Sequence, residues 1–242
     1  MRKEHTILNE KYRPTNLENF ICEENHKAKF NEYVENQDIP HILLAGPAGS
    51  GKTTLAKILT ENIDCEFMIL NAMDERSIES IRTKVGGFAS TRSFKPLKIV
   101  VLDESTHLLE AAQVILLNMM ETFSLNTRFI LTGNYPERLI APLKSGCQEF
   151  NLKPPSKKEV ALYLVDILKK EGVEYESTDV ATLTNLYYPD IRKVVNTAQS
   201  CIYKGKLKVV KTSLKDVKYM YDILEELKKP SSKSFTSIRQ IV

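Results

Sequence analysis

Residues 43–59 read LLAGPAGSGKTTLAKIL, and this stretch constrains the fold more than any other part of the chain. It passes from an apolar, strand-prone run through a glycine-rich turn into a helical pattern. Gly46-Pro47-Ala48-Gly49-Ser50-Gly51-Lys52-Thr53 matches the phosphate loop G-x-x-x-x-G-K-[ST], with the strand before it and the helix after it that the motif requires. Glycines let the backbone wrap around phosphate oxygens and present several N–H groups, while the helix N-terminus adds positive potential. Lys52 is spaced to reach the β and γ phosphates. Thr53 is placed to ligate Mg²⁺, and Thr54 stands beside it in the first helical turn. The ligand set this predicts is a nucleoside triphosphate with Mg²⁺.

The surrounding pattern agrees. Apolar runs at His41–Ala45, Cys65–Leu70, Ile99–Leu102 and Arg128–Thr132 read as strands, and Thr53–Asn62 and Ala111–Phe123 as helices. Short strands alternating with helices predict an α/β domain with a parallel sheet. At "NLKPPSKKEVALYLVDILKKEGVEYES" the pattern changes. A double proline stops one element, and Ser156 with Glu159 forms a capping box for the next. Val160, Leu164, Ile167 and Leu168 share a helical face, Gly172 is placed to end that helix, and Asp190 is placed to cap another. No strong strand signal follows. The expected division is an α/β nucleotide-binding domain over 1–152, a small helical lid domain over 153–217, and a linker with the start of a further helix over 218–242.

Composition adds exclusions. In 242 residues, 42% of them hydrophobic, no window reaches the roughly 18 apolar residues of a membrane span. The start MRKEHTILNEKYRP is too charged for a signal peptide. The 4 cysteines (Cys22, Cys65, Cys147, Cys201) lie far apart, which gives no zinc framework and fits a reducing, intracellular setting. From Cys201 to the end, 9 Lys and 1 Arg face 2 Asp and 2 Glu, a net +6 in a chain whose total is +3. Such a tail is compatible with nucleic acid and equally with a solvated face.

Two further strand ends carry chemistry. "KIVVLDEST" ends in Asp103-Glu104. After a phosphate loop, a strand-end aspartate holds the Mg²⁺ shell and the adjacent glutamate polarises the attacking water; an acidic turn is the alternative. "TRFILTGNYPERL" ends in Thr132 and Asn134, where an amide orients water without taking a proton. An ordinary turn accounts for these residues equally well.

Four features in order, "EKYRP", "GPAGSGKTT", "LDES" and "PDIRKVVN" (Pro189–Asn196), together with "FASTRSF" (Phe88–Phe94), make the chain similar to the small ATPase subunits of sliding-clamp loaders. That family is the replication factor C and phage clamp-loader group of the AAA+ class, and the resemblance covers nearly the whole chain. It implies ATP as the nucleotide, partner loader subunits, a sliding clamp and primer–template DNA. It implies that Tyr12, Arg13, Pro14 and Ile21 lie around the adenine, that Asn134 is the first sensor, and that Arg192 is the second, reaching the γ-phosphate from the lid. Packing of a chain terminus by Tyr12 and Pro14, and a surface charge at Arg192, are the plain alternatives.

Two departures from the family pattern stand out. Family members carry an arginine in a Ser-Arg-Cys motif that reaches the neighbouring subunit's site, and "PLKSGCQEF" has Gly146 there. A second family arginine, on the helix ending in Met-Glu, is replaced in "AAQVILLNMMET", which offers Leu117 and Asn118. Lys144 is the nearby candidate for a weak substitute, a point charge without the guanidinium fork. The resemblance also implies a third, helical collar domain, of which the chain holds only the start.

Contacts with DNA and clamp are suggested by "DERSIESIRTKV". Ser77 would cap a helix with Ile78, Ile81 and Val85 inward and Arg82 exposed, suited to phosphates rather than bases, or simply solvated. Phe88 and Phe94 are candidates for the clamp, or for the core. A finger-less regulatory AAA+ subunit and an unrelated AAA+ remodeller are the competing functional readings.

Overall fold

The computed structural model describes residues 7–209. After a short α1 (Leu8–Lys11) come α2 (Glu24–Asn36), β1 (Ile42–Ala45), α3 (Lys52–Asn62) and β2 (Cys65–Asn71). A composite helix follows, in which α4 (Ile78–Ser80) passes through a π-helical turn, Ile81–Gly86, into α5 (Gly87–Ser90). Then come β3 (Leu97–Asp103), α6 (Glu110–Thr122), β4 (Thr127–Gly133), α7 (Ala141–Ser145) and β5 (Gln148–Asn151). The last described elements are α8 (Lys157–Lys170), α9 (Ser177–Tyr187), α10 (Ile191–Ser200), β6 (Ile202–Tyr203) and β7 (Lys206–Leu207).

The chain forms two compact units. One is Arg13–Pro155; in the other the described residues are 7–12 and 156–209. In the larger unit five strands pair in the order β2-β3-β4-β1-β5, all parallel. A parallel sheet covered on both faces needs apolar side chains pointing both ways, and β1, β3 and β4 supply them. Ile42, Leu44, Ile99, Val101 and Ile130 face a cluster with Phe30, Leu55 and Leu59 from α2 and α3. Their neighbours Leu43, Val100, Leu102, Phe129 and Leu131 face the opposite cluster with Ile81, Val85, Leu116 and Met120. Each such buried side chain contributes about 1.5–3 kcal/mol of transfer free energy. Phe88 is partly buried against the second cluster, whereas Phe94 is fully exposed, so the core alternative for Phe94 is corrected.

Several expectations change at the edges. Strand β5 carried little signal because only Phe150 of Gln-Glu-Phe-Asn is buried on this edge strand. Ser77 caps α4, its Oγ accepting from Ser80 N–H at 3.2 Å. Ile81 and Val85 point inward and Arg82 outward, but Ile78, the first residue of α4, is 37% exposed and lies outside the apolar cluster that buries Ile81 and Val85. Lys98 is buried on β3. Its ammonium donates to Phe88 O (2.7 Å), to Thr91 Oγ1 (2.9 Å) and to Thr91 O, three acceptors for three N–H groups at the carboxyl end of α5.

The smaller unit is helical, with Val160, Leu164 and Leu168 against Val180, Leu183, Val194, Ala198 and Leu207. The capping box at Ser156 and Glu159 is present in both directions. Gly172 follows α8 with φ +65°, and Asp190 caps α10 by accepting from Lys193 N–H at 3.1 Å. Strands β6 and β7 form a hairpin that periodicity did not show, since each has two residues. Its turn, Lys204-Gly205, has positive φ at both positions, as a type I′ hairpin demands. The N-terminal turn joins this unit: Leu8 clusters with Ile167 and Val195, and Leu8 N–H donates to Gln199 Oε1 at 3.0 Å. The end of the expected lid domain, 210–217, and the linker and further helix expected over 218–242 lie outside the described residues.

His41 precedes β1 with its ring 5.5 Å from that of Phe129, and its Nδ1 accepts from Phe129 N–H at 3.2 Å. Burial, and then the Arg128 guanidinium, push its pKa below the ordinary histidine value. A neutral His41 is therefore favoured in the fold, and its contribution is full above the unfolded-state pKa of about 6.5 and lost as pH falls toward the lower folded value. The stability gap between wild type and His41→Asn, measured by urea unfolding, should narrow between pH 7.5 and pH 5; a gap that widens contradicts the assignment.

Candidate functional site

Parallel order places the carboxyl ends of β1, β4 and β3 side by side, where ligands of open α/β sheets bind. The loop after β1 is the glycine-rich turn. Gly51 has φ +88°, and a Cβ there would lie 2.8 Å from the Phe20 ring, so geometry and space both demand glycine. Lys52, the first residue of α3, is 6% exposed, and its ammonium donates to Gly46 O (2.9 Å), Pro47 O (2.9 Å) and Asn134 Oδ1 (2.8 Å). Pro47 and Ala48 are exposed, Gly49 is half-buried, and Ser50 Oγ is a buried hydroxyl with no protein partner.

At the end of β3, Asp103 accepts from Thr53 Oγ1 through Oδ1 (2.8 Å) and Oδ2 (3.1 Å), and from Thr132 Oγ1 through Oδ1 (2.5 Å). Glu104 takes the left-handed conformation, φ +54°, and its N–H donates to Thr132 Oγ1 at 3.0 Å. The Glu104 carboxylate accepts from Asn134 Nδ2 at 3.2 and 3.3 Å. The amide of Asn134 has one possible orientation here, because an ammonium only donates and a carboxylate only accepts. Lys52, Asn134 and Glu104 therefore form a continuous chain of hydrogen bonds across the ends of three strands.

These residues fit a triphosphate and a divalent cation. Ser50 supplies an unused hydroxyl, the first turn of α3 supplies N–H groups, and Thr53 with Asp103 supplies the hard oxygen donors that Mg²⁺ prefers. Thr54 is half-buried in the same turn, as are Arg13, Pro14 and Ile21 elsewhere in this unit. Tyr12 belongs to the helical unit, where its phenol donates to Glu171 Oε1 at 2.6 Å and its carbonyl accepts from Tyr163 Oη at 2.9 Å. Lys11 also pairs with Glu171, and these two donors hold that carboxyl below its ordinary range. Arg192 lies exposed on α10 in the same unit. Gly146 ends α7 in ordinary helical geometry and is exposed, and a Cβ there would meet nothing closer than 3.6 Å.

Phe20, the wall behind Gly51, escaped the sequence reading. A lone aromatic outside any periodic run carries no signal for such a role. Among the described residues, no cluster of three or more His, Cys, Asp or Glu is arranged as a preformed metal cage, and no helix is long and apolar enough to cross a membrane.

Comparison with known proteins places the chain among relatives. Residues 42–155 match the family model described as "ATPase family associated with various cellular activities (AAA)". The chain is 40% identical over 207 residues to the replication factor C small subunit of Aeropyrum pernix, with 83% of this chain and 64% of the relative covered. It is 36% identical over 214 residues to the replication factor C small subunit of Sulfolobus acidocaldarius, with 86% and 66% covered. The chain thus spans slightly less than two thirds of these relatives' length. Among solved structures, the Thermotoga maritima RuvB Holliday junction branch migration motor superposes with a TM-score of 0.65 at 21% identity, covering 78% of this chain and 64% of that one, which shows the shared fold.

The loop geometry is directly testable. Gly51→Ala must adopt positive φ, at a cost of about 1–3 kcal/mol, and must also displace Phe20. It should lower the thermal midpoint and abolish nucleotide binding. Phe20→Ala empties part of the core and is the reference for the double variant: Gly51→Ala/Phe20→Ala should be less stable than Phe20→Ala by the backbone share alone, and equal stability would mean that the backbone conformation is unimportant.

Proposed function

The chain carries an AAA ATPase-family domain and is a relative of the replication factor C small subunits, and from that premise we propose that it is an ATPase subunit of a DNA sliding-clamp loader. In this reading ATP binding favours an assembly that grips an opened clamp and primer–template DNA, and hydrolysis releases both. The observation that supports it is the Lys52–Asn134–Glu104 chain beside the Thr53–Asp103 pair, an ammonium, an amide, a hydroxyl and two carboxylates gathered at the carboxyl ends of neighbouring strands and suited to binding phosphate and orienting and polarising water.

The roles follow from the chemistry of each group. Lys52 exchanges carbonyl oxygens for phosphate oxygens, and Ser50 and the N–H groups of the loop complete the cradle. Mg²⁺, held by Thr53 and Asp103, would supply charge neutralisation at the phosphates. Glu104 accepts the proton of the attacking water, and Asn134, bonded to Glu104, orients that water. Arg192 is assigned to the γ-phosphate as the second sensor, and Tyr12, Arg13, Pro14 and Ile21 to the adenine. Ser77 and Arg82 are assigned to the DNA backbone, a sequence-independent contact weakened by salt.

Gly146 favours a second reading for the subunit's effect on its neighbour. With no guanidinium at this place, or at Leu117 and Asn118, the subunit binds ATP but does not complete an adjacent site through those positions. An arginine supplied in trans is worth about 10³–10⁵ in rate in related phosphoryl transfer.

Steady-state ATPase measurement decides between these readings. With saturating Mg²⁺ and ATP, the rate per subunit should stay near background at every protein concentration. It should rise by about 10³ with arginine-bearing loader subunits, a sliding clamp and primer–template DNA. Stimulation by DNA with no response to the clamp would instead indicate a remodeller. Gly146→Arg, at an exposed position where an added Cβ makes only ordinary van der Waals contacts, should make the rate of the isolated chain climb with concentration if copies associate through this face.

A further inference from the structure

Thr132 is fully buried at the end of β4, and its hydroxyl is used twice. It donates to Asp103 Oδ1 at 2.5 Å and accepts from Glu104 N–H at 3.0 Å. The neighbouring groups tighten the same junction. Ser105 Oγ donates to Thr132 O at 2.8 Å, and a Cβ on Gly133 would stand 2.4 Å from Thr106 Cγ2, so β4 and the turn after β3 are pressed together.

Each bond restricts a different freedom. The bond to Asp103 fixes which carboxylate oxygen is engaged toward β4, while Oδ2 is engaged only by Thr53 among the hydrogen bonds described. The bond from Glu104 N–H stabilises a left-handed conformation that a non-glycine residue otherwise avoids, and this conformation aims the Glu104 side chain at Asn134. One oxygen atom thus sets the orientation of the two carboxylates.

We infer that Thr132 is the positioning residue of the Asp103–Glu104 pair: its hydroxyl holds Asp103 in the orientation needed for the cation and holds Glu104 in its left-handed turn. Thr132 touches neither nucleotide nor water in this assignment and acts through the two carboxylates. The inference rests on the nucleotide-binding reading for its functional consequence, but not for its geometry.

Two readouts on the full chain separate the two. The first needs no ligand: hydrogen exchange at the Glu104 amide, with thermal unfolding of each variant to establish that it is folded. Protection should be lost in Thr132→Val and Thr132→Ala and retained in Thr132→Ser. The second is the affinity for a fluorescent ADP analogue with Mg²⁺ and with EDTA. Thr132→Val and Thr132→Ala should cut the gain in affinity conferred by Mg²⁺ by about 10-fold or more, as loss of an outer-shell partner does, while affinity in EDTA changes little. Thr132→Ser should restore the gain. Protection that persists in Thr132→Ala, or a Mg²⁺ gain as weak in Thr132→Ser as in Thr132→Val, overturns the inference. Wild-type protein that shows the exchange pattern but no Mg²⁺-dependent binding overturns the nucleotide reading and leaves the positioning role standing.

Discussion

The carboxylate of Asp103 is the junction on which the site depends. It accepts hydrogen bonds from Thr53 at the start of α3 and from Thr132 at the end of β4, while itself ending β3. Three elements far apart in sequence are thereby joined at one anionic centre. Hydrogen bonds to a charged acceptor are the stronger kind, about twice neutral ones, and they need a scaffold that does not relax. The scaffold is the parallel sheet, whose buried strands leave the backbone little room to shift.

The same sheet explains the distribution of charge around the centre. A buried ammonium at Lys52 is tolerable because carbonyl oxygens of the loop and the amide of Asn134 accept its N–H groups. A buried ammonium at Lys98, at the opposite end of β3, is satisfied in the same way by the end of α5. The first interaction can be exchanged for phosphate because its partners line the open end of the sheet. The second ties the carboxyl end of α5 to β3. Two lysines of similar burial thus differ in role according to what surrounds them.

Thiols show a related contrast between presence and reactivity. Burial pushes Cys65 up to about 11 and Cys147 up to about 12, so neither is ionised near neutrality. None of the four cysteines is in a disulfide. Their neighbours in the fold account for the lack of nucleophilic character.

Much of the fold was legible because its strands are short apolar runs with turn residues around them, and because Ser156, Glu159, Gly172 and Asp190 mark helix ends by local chemistry. The phosphate loop and Asp103-Glu104 were legible because motif and flanking elements agree. Strand β5 and the hairpin β6–β7 were not, since an edge strand with one buried side chain and strands of two residues leave no periodicity. The inward placement expected for Ile78 failed because helical spacing gives the face but not where packing begins: the cluster takes in Ile81 and Val85 and leaves the first residue of α4 outside. By itself the sequence determined the chemical inventory and the local turns: a loop that only glycines can make, a lysine and a threonine after it, two acids at a strand end. Only tertiary structure decided that Thr132 holds those acids, that Phe20 backs the loop and that Asn134 links Lys52 to Glu104. These pairings join residues 28 to 82 positions apart, and their geometry is set by strand order and register rather than by spacing along the chain.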